Sequence, residues 1–330
     1  MKKKYIWLLL VLGMVPSTIK AQDLHYARIQ DLSQWYNPSL KSDRQGDVRM
    51  NFRDVRYQNM LSYRSSAVLG NIPIGAKGSQ EQDNTGFWNL SLGAAVDQSN
   101  QNILRNTQGV LGLSYAVPIT GNNQYLAVSI QGTFMNSRLD LTNAVFPDQF
   151  DRNGPISGAV TRDPLGIGDA RNWLSSNLGV SMFQNTAEQS WSIGVSVRDV
   201  TQPLIQRGTG MAYRLQPTLG IQGGYEMQRG QTRYSFYGVA NFKAEAYEQL
   251  LSASLSHRPV SSNVKGIGGG VAYRLRDAVI PYVELSVAQS TIGFYYELNT
   301  SGISAAGYSR NAFEISLKQE LFNKKKTTDR

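Results

Sequence analysis

The sequence predicts an all-β fold: a single antiparallel transmembrane β-barrel of about 14 strands, preceded by an N-terminal arm or plug. Three observations carry this expectation. From Leu126 to Phe134 the residues alternate, with Leu126, Val128, Ile130 and Phe134 on one side and Ala127, Ser129, Gln131 and Thr133 on the other. Segments of this kind recur fourteen times at roughly the 9–11 residues that a tilted strand needs to cross a bilayer. Finally, only 17% of residues are charged, and the polar faces are rich in Ser, Gly, Gln and Thr rather than the Lys and Glu of a solvated surface. A soluble sheet sandwich would explain the alternation alone, but not that composition.

In chain order, Lys2, Lys3 and Lys4 precede a short apolar run from Tyr5 to Val15, and Ala21 stands at the expected cut. Residues 1–21 read as a secretory signal peptide, although Ile19 is bulkier than the residue usual three before the cut. Its removal lowers the formal charge of +9 by four, so the basic balance gives no reason to expect a nucleic-acid partner. Residues 22–46 lack alternation and contain Trp35-Tyr36-Asn37-Pro38, which predicts an ordered arm or a lumen plug. The barrel is expected over 47–322. Its strands fall near 47–58, 61–72, 86–98, 108–118, 124–137, 173–184 and 190–200, then 210–227, 232–243, 248–258, 264–276, 278–288, 290–299 and 310–321. The first two alternate poorly. Residues 323–330, with Lys324, Lys325 and Lys326, form a basic tail.

The connections give an independent test. With both termini in the periplasm, links after even-numbered strands should be short. Gly121-Asn122-Asn123, Asn185-Thr186-Ala187-Glu188 and Arg229-Gly230 fit, and the longest link, Arg138 to Asn172, falls outside. The stretch Ile74 to Thr85 is long for its side, and Arg276-Asp277-Ala278 is short. Trp88, Tyr115, Tyr125, Trp173, Trp191 and Tyr282 stand near the ends of apolar faces, as an interfacial aromatic girdle would.

Little here points to catalysis or to a cofactor. Cysteine is absent and there are two histidines, which removes thiol chemistry and Cys-based metal sites. His257 lies beside Ser256, but no nucleophile-elbow pattern surrounds any serine, so a polar strand end is the expected role. Gly266-Ile267-Gly268-Gly269-Gly270 lacks the Lys-Ser/Thr ending of a phosphate loop and reads as strand. Arg198, Arg214, Arg274, Glu226, Glu284 and Glu314 fall within strands. They should face the lumen or sit near strand ends, either as an ion-pair network or as a selectivity lining. Partner recognition is placed on the long loop, with Phe146, Pro147, Asp148, Phe150 and Asp151 as candidates. Its prolines and Asx turns limit its conformations, and Phe146 and Phe150 would be exposed anchors. The same loop could instead fold into the bore.

Gln22-Asp23 followed by Asn37-Pro38-Ser39-Leu40 resembles the opening of the PorP/SprF family of outer-membrane proteins. Leu113-Ser114-Tyr115-Ala116 and Phe146-Pro147-Asp148-Gln149 are similar to its middle section, and Ser196-Val197-Arg198 with Thr201-Gln202-Pro203 to its next block. Tyr273-Arg274, Asp277-Ala278-Val279-Ile280 and Phe313-Glu314-Ile315-Ser316-Leu317 match its C-terminal third. A departure lies at Ile29-Gln30-Asp31, where the family usually carries an earlier Asn-Pro step. The resemblance implies an outer-membrane barrel of the type IX secretion and gliding machinery of Bacteroidetes. Such a barrel would help a secreted, adhesin-like cargo reach and stay on the cell surface by binding its C-terminal targeting domain. The resemblance also implies outer-membrane lipid and periplasmic or lipoprotein components of the machinery as neighbours, and marks Asn37, Pro38, Thr201, Gln202, Pro203 and Asp277 as family-motif residues. The alternative function is a diffusion or uptake channel.

Overall fold

The computed structural model describes residues 26–40, 45–58, 62–74, 85–99, 103–120, 123–141, 146–151, 154–155, 158–162, 169–186, 188–206, 212–244, 246–259, 264–302 and 310–321. The expected signal peptide (1–21), His25 and the expected basic tail (323–330) lie outside them.

Among the described residues, fourteen strands close into one antiparallel barrel. They are β1 (Asp47–Tyr57), β2 (Tyr63–Ile74), β3 (Phe87–Ser99), β4 (Leu104–Thr120), β5 (Gln124–Leu139), β8 (Asp169–Asn185) and β9 (Gln189–Arg198). The second half comprises β12 (Thr218–Arg229), β13 (Thr232–Lys243), β14 (Ala246–His257), β15 (Val264–Arg274), β16 (Ala278–Val287), β17 (Ser290–Asn299) and β18 (Arg310–Glu320). Each pairs with its neighbours in order, and β1 closes on β18 from Asp47↔Glu320 to Tyr57↔Arg310. Closure leaves no strand edge exposed, as hydrocarbon requires. Two short ladders stand outside the wall: β6 (Phe150–Asp151) with β7 (Gly154–Pro155), and β10 (Leu204–Gln206) with β11 (Ala212–Arg214).

The alternation sorts as the pleat requires. Leu126, Val128, Ile130 and Phe134 are 42–57% exposed, whereas Ala127, Gln131 and Thr133 are buried. The apolar row is thus the outer, lipid-facing surface, and the polar row lines the bore. The first strand, which reads as irregular, obeys the same rule: Asp47, Arg49, Asn51, Arg53 and Val55 are buried, while Met50 and Phe52 point out. Its pattern is hard to see because the inward face carries charges and the outward face ends in Asp54 and Arg56.

Three expectations need correction. The segment over 210–227 is two elements. Ala212–Arg214 pairs with Leu204–Gln206, and the barrel strand starts only at Thr218. Pro217 has no N–H for a ladder, and the N–H of Leu215 bonds to Pro203 O at 3.0 Å, tying this stretch to the outer hairpin. The long loop is shorter than Arg138 to Asn172, because β5 runs to Leu139, β8 begins at Asp169, and Arg138↔Ala170 and Leu139↔Asp169 are paired. The aromatic girdle is only partial. Trp88 and Tyr115 pack together on the outer surface, their rings tilted by 36° with centroids 4.5 Å apart, and Trp191 lies on the same outward-facing row as Ile193 and Val195. Tyr125 and Tyr282 are instead buried inside, and Trp173 shares the inward row of Ser175 and Asn177. Tyr125 packs with Phe87 and Phe183 in an apolar cluster at the short-turn end of the bore.

Both ends of the barrel sequence, Asp47 and Glu320, meet at the rim that carries the turns 186–188, 230–231 and 288–289. That rim is periplasmic by the short-turn rule. The long connections 140–168 and 199–217 lie at the other. Strands β4, β5 and β8, of 17, 16 and 17 residues, exceed what the bilayer needs and rise beneath the longest loop.

Candidate functional site

The bore is not empty: the N-terminal arm lies inside it. Residues Asp31 to Leu40 are all buried. A 3-10 turn, Ile29–Leu32, runs into one α-helical turn, Ser33–Tyr36, which stops where Asn37 precedes Pro38 and is forced extended. With so little regular structure, the arm's backbone groups must find partners on the wall. Gln131 Nε2 donates to Gln34 O at 3.1 Å, Ser196 Oγ to Tyr36 O at 2.9 Å and Ser181 Oγ to Ser39 O at 2.8 Å. Arg49 Nη1 donates to the carbonyls of Gln30 and Asp31. Ala27 N donates to Glu314 Oε2 at 2.6 Å, and Arg28 pairs with Glu284. The arm is thereby attached on one side to β16 and β18 and on the other to β5, β8 and β9.

Glycines in the wall make room for it. A Cβ on Gly194 would approach Asn37 Nδ2 to 2.5 Å, one on Gly93 would meet the Trp35 ring at 2.7 Å, and one on Gly179 would overlap Asn37 Oδ1. Asn37 also accepts from Ser39 N at 3.1 Å and from Ser39 Oγ at 2.7 Å, an Asx turn that bends the chain at the wall. Trp35 Nε1 donates to Gln108 Oε1 at 3.2 Å, and the Arg198 guanidinium lies 5.4 Å above the Tyr36 ring. Asn37 and Pro38 therefore belong to the plug.

At the outer end, β1, β15, β17 and β18 bring together a buried ionic cluster. Arg53 makes a bidentate bond to Glu297, at 3.0 and 2.9 Å. Arg274 donates to the same carboxylate at 3.3 Å through both terminal nitrogens, and Arg310 lies 3.7 Å away. Asp277, in the turn 275–277, takes 2.9 Å bonds from Arg274 and Arg310. Burial disfavours its charge, but the hydrogen bond from Arg310 and the charges of both arginines outweigh that and hold its carboxyl below the usual range. Of the strand charges expected, Arg274, Glu284 and Glu314 do face the bore. Glu226 is at the periplasmic rim, 3.9 Å from Arg233, and Arg214 is on the outer hairpin. Arg53, Glu297 and Arg310 were not singled out from sequence. The signal was present, since Asp47, Arg49, Asn51 and Arg53 share one parity.

Thr201-Gln202-Pro203 forms an outer turn fixed to β8. Asp199 N donates to Asn177 Oδ1 at 3.0 Å, and Val200 N to Ser176 O at 2.9 Å. Thr201 Oγ1 reaches Ser175 Oγ at 3.4 Å. Asp199 and Gln202 are left-handed, with φ of 58° and 45°, and Ile205 beyond them is buried. In the long loop, Phe146, Pro147, Asp148, Phe150 and Asp151 do come together. Pro147–Gln149 is a 3-10 turn, Gln149 bonds both Phe146 N and Ala159 O, and Phe150–Asp151 forms the short ladder. Asp148 accepts from Thr161 Oγ1 at 2.8 Å and from Arg162 N at 2.7 Å. The Arg162 N–H, then Thr161, hold its carboxyl below the ordinary value. Phe150 is half exposed, whereas Phe146 is only partly so.

His257 is exposed at the periplasmic rim, with Nδ1 3.3 Å from Thr232 Oγ1. The glycine run sits in β15, where a Cβ on Gly270 would run into the Tyr282 ring at 2.6 Å.

No curated protein matches the sequence. Among solved structures it is similar to the Pseudomonas putida toluene transporter TodX (10% identity, 90% of this chain and 94% of that one, TM-score 0.48). It is also similar to the Ralstonia pickettii toluene transporter TbuX (11%, 88% and 93%, 0.48) and to CdiB from Acinetobacter baumannii (10%, 83% and 60%, 0.45). The family described as type IX secretion system membrane protein PorP/SprF matches residues 19–318. The chain, a closed barrel of the outer membrane, belongs to the PorP/SprF family of type IX secretion membrane proteins.

Proposed function

We propose that the protein is a plugged, non-enzymatic scaffold that assists secretion of a type IX cargo and holds it at the cell surface, by binding the cargo's C-terminal targeting domain. The observation that carries this reading is the arm. A chain segment hydrogen-bonded to opposite walls of the bore suits a rigid platform better than a permeation path. The outer connections supply the recognition surface, with Phe150 exposed on a loop whose shape Asp148 and Gln149 fix before any partner arrives. The cargo is an adhesin-like protein, and periplasmic or lipoprotein parts of the machinery contact the opposite rim.

The test is affinity capture of the barrel from detergent-solubilised outer membrane, followed by mass spectrometry of what co-purifies. The expected result is one surface protein bearing a type IX C-terminal domain, lost with Phe150→Ala and Asp148→Ala. Deleting the barrel should strip that protein from the cell while other type IX cargo still appears. Loss of every cargo would make the barrel a core part of the machine. Large, steady conductance of the intact protein in planar bilayers would favour a diffusion or uptake channel instead.

A further inference from the structure

The outer surface of the barrel is uneven. Over most of its circumference the outward strand residues at the outer ends are uncharged: Val197, Leu219, Phe242, Tyr247, Tyr273, Val279, Leu298 and Asn311, with the turn arginine Arg276 donating to Tyr247 OH among them. Between β1 and β5 the outward row is instead Asp54, Arg64, Gln98, Arg105 and Arg138, with Arg56 the next outward residue of β1 beyond Asp54. The ladders align it, with Arg64↔Gln98, Gln98↔Arg105 and Arg105↔Arg138. Arg105 and Arg138 are direct cross-strand partners, an arrangement of like charges that destabilises a sheet unless an anion lies between them. The side chains of Arg56, Arg64 and Arg138 are 79%, 58% and 62% exposed. Two carboxylates serve these four guanidiniums among the described residues. Asp54 lies 3.3 Å from Arg56 and 3.4 Å from Arg64, and Asp140 lies 2.9 Å from Arg138.

One outward step toward the bilayer, a groove of about 450 Å³ opens across β18, β1, β2 and β3. Met50, Phe52, Val68 and Val96 form its sides, and the small Ser66 and Ala94 leave its floor low. The registers Phe52↔Ser66 and Ser66↔Val96 place it directly below Asp54↔Arg64 and Arg64↔Gln98. Headgroup-level cations thus stand over an acyl-sized recess.

We propose that this sector binds a phosphorylated glycolipid of the outer leaflet, with phosphate on the arginine row and one acyl chain in the groove. The row favours a headgroup with two phosphates. Arg56 and Arg64 form one cation pair and Arg105 and Arg138 another, with uncharged Gln98 between them. Arg64 and Arg138 are three strand spacings apart, roughly 14 Å. A single phosphate cannot bridge that distance, whereas the two ends of a diphosphorylated disaccharide can. Arginine suits the site because its planar fork binds phosphate in bidentate fashion.

The test uses the full chain, purified in neutral detergent. Native mass spectrometry would be run with added diphosphorylated lipid A, phosphatidylglycerol, phosphatidylcholine or inorganic phosphate. Lipid A should be retained at least ten-fold better than phosphatidylglycerol, and phosphatidylcholine and free phosphate should leave on activation. R105Q/R138Q should lower lipid A retention about ten-fold. Ala94→Trp, which fills the groove and leaves every arginine in place, should lower it as well. Arg229→Gln at the opposite rim should not change it. Heat-shifted gel mobility verifies that each variant is folded. Equal retention of phosphatidylcholine or phosphatidylglycerol would overturn the assignment, as would folded R105Q/R138Q and A94W proteins that hold lipid A like the parent.

Discussion

Glu297 is the residue on which the outer end depends most. It sits between three arginines and is almost wholly buried, so its removal leaves uncompensated cations in a place with little water. Glu297→Ala should cost about 3–5 kcal/mol, measured as a lowered urea midpoint of the barrel refolded into vesicles. Asp148 makes a different prediction, one of pH. Its folded carboxyl titrates below the ordinary range, so its contribution to loop order is complete above the unfolded value and is lost as pH falls through the lowered folded one. Proteolysis near Asp151 should therefore accelerate only in acid, and Asp148→Ala should show the fast rate at neutral pH. Of the five loop residues marked in the sequence, Pro147 and Asp148 lie in the 3-10 turn that Phe146 begins, Phe150 and Asp151 lie in the ladder, and the Phe150 ring is the more exposed of the two aromatics. Proline and Asx signals revealed that the loop was constrained. They gave no hint that Asp148 reaches residues 161 and 162, since such bonds leave no local periodicity.

The decisive element is the arm. Removing residues 26–40 should convert a closed bore into a conducting one, seen as steady current in planar bilayers where the parent shows little. Gly194→Leu is the gentler version: its side chain claims the space of Asn37 and Leu40. It should leave the barrel folded but make Trp35 accessible to aqueous quenchers. The sequence showed that 22–46 was not strand, and Asn37-Pro38 marked where its helical turn stops. Its course across the bore was illegible, because it depends on single hydrogen bonds to strands remote in sequence. The strands themselves were readable wherever hydrocarbon imposed alternation. Inward aromatics such as Tyr125 and Tyr282 misled, since a ring at a strand end suits either a membrane interface or a packed lumen.

For the whole molecule, the bilayer acts as solvent for one face of every barrel strand. Ile130 is among the outward residues near the middle of β5. Ile130→Arg should cost roughly 2–4 kcal/mol in vesicle refolding, whereas a polar substitution at inward Thr133 should cost far less. Closure has a further consequence for biogenesis. The segment that fills the barrel is translated before every strand of the wall, while the seam that seals the wall joins the first strand to the last. The earliest segment to be made thus finds its anchors late: the bonds from Arg28 to Glu284 and from Ala27 to Glu314 can form only when the trailing strands are in place, so a chain truncated before β18 would lack both a finished cylinder and the Glu314 end of its stopper's attachment.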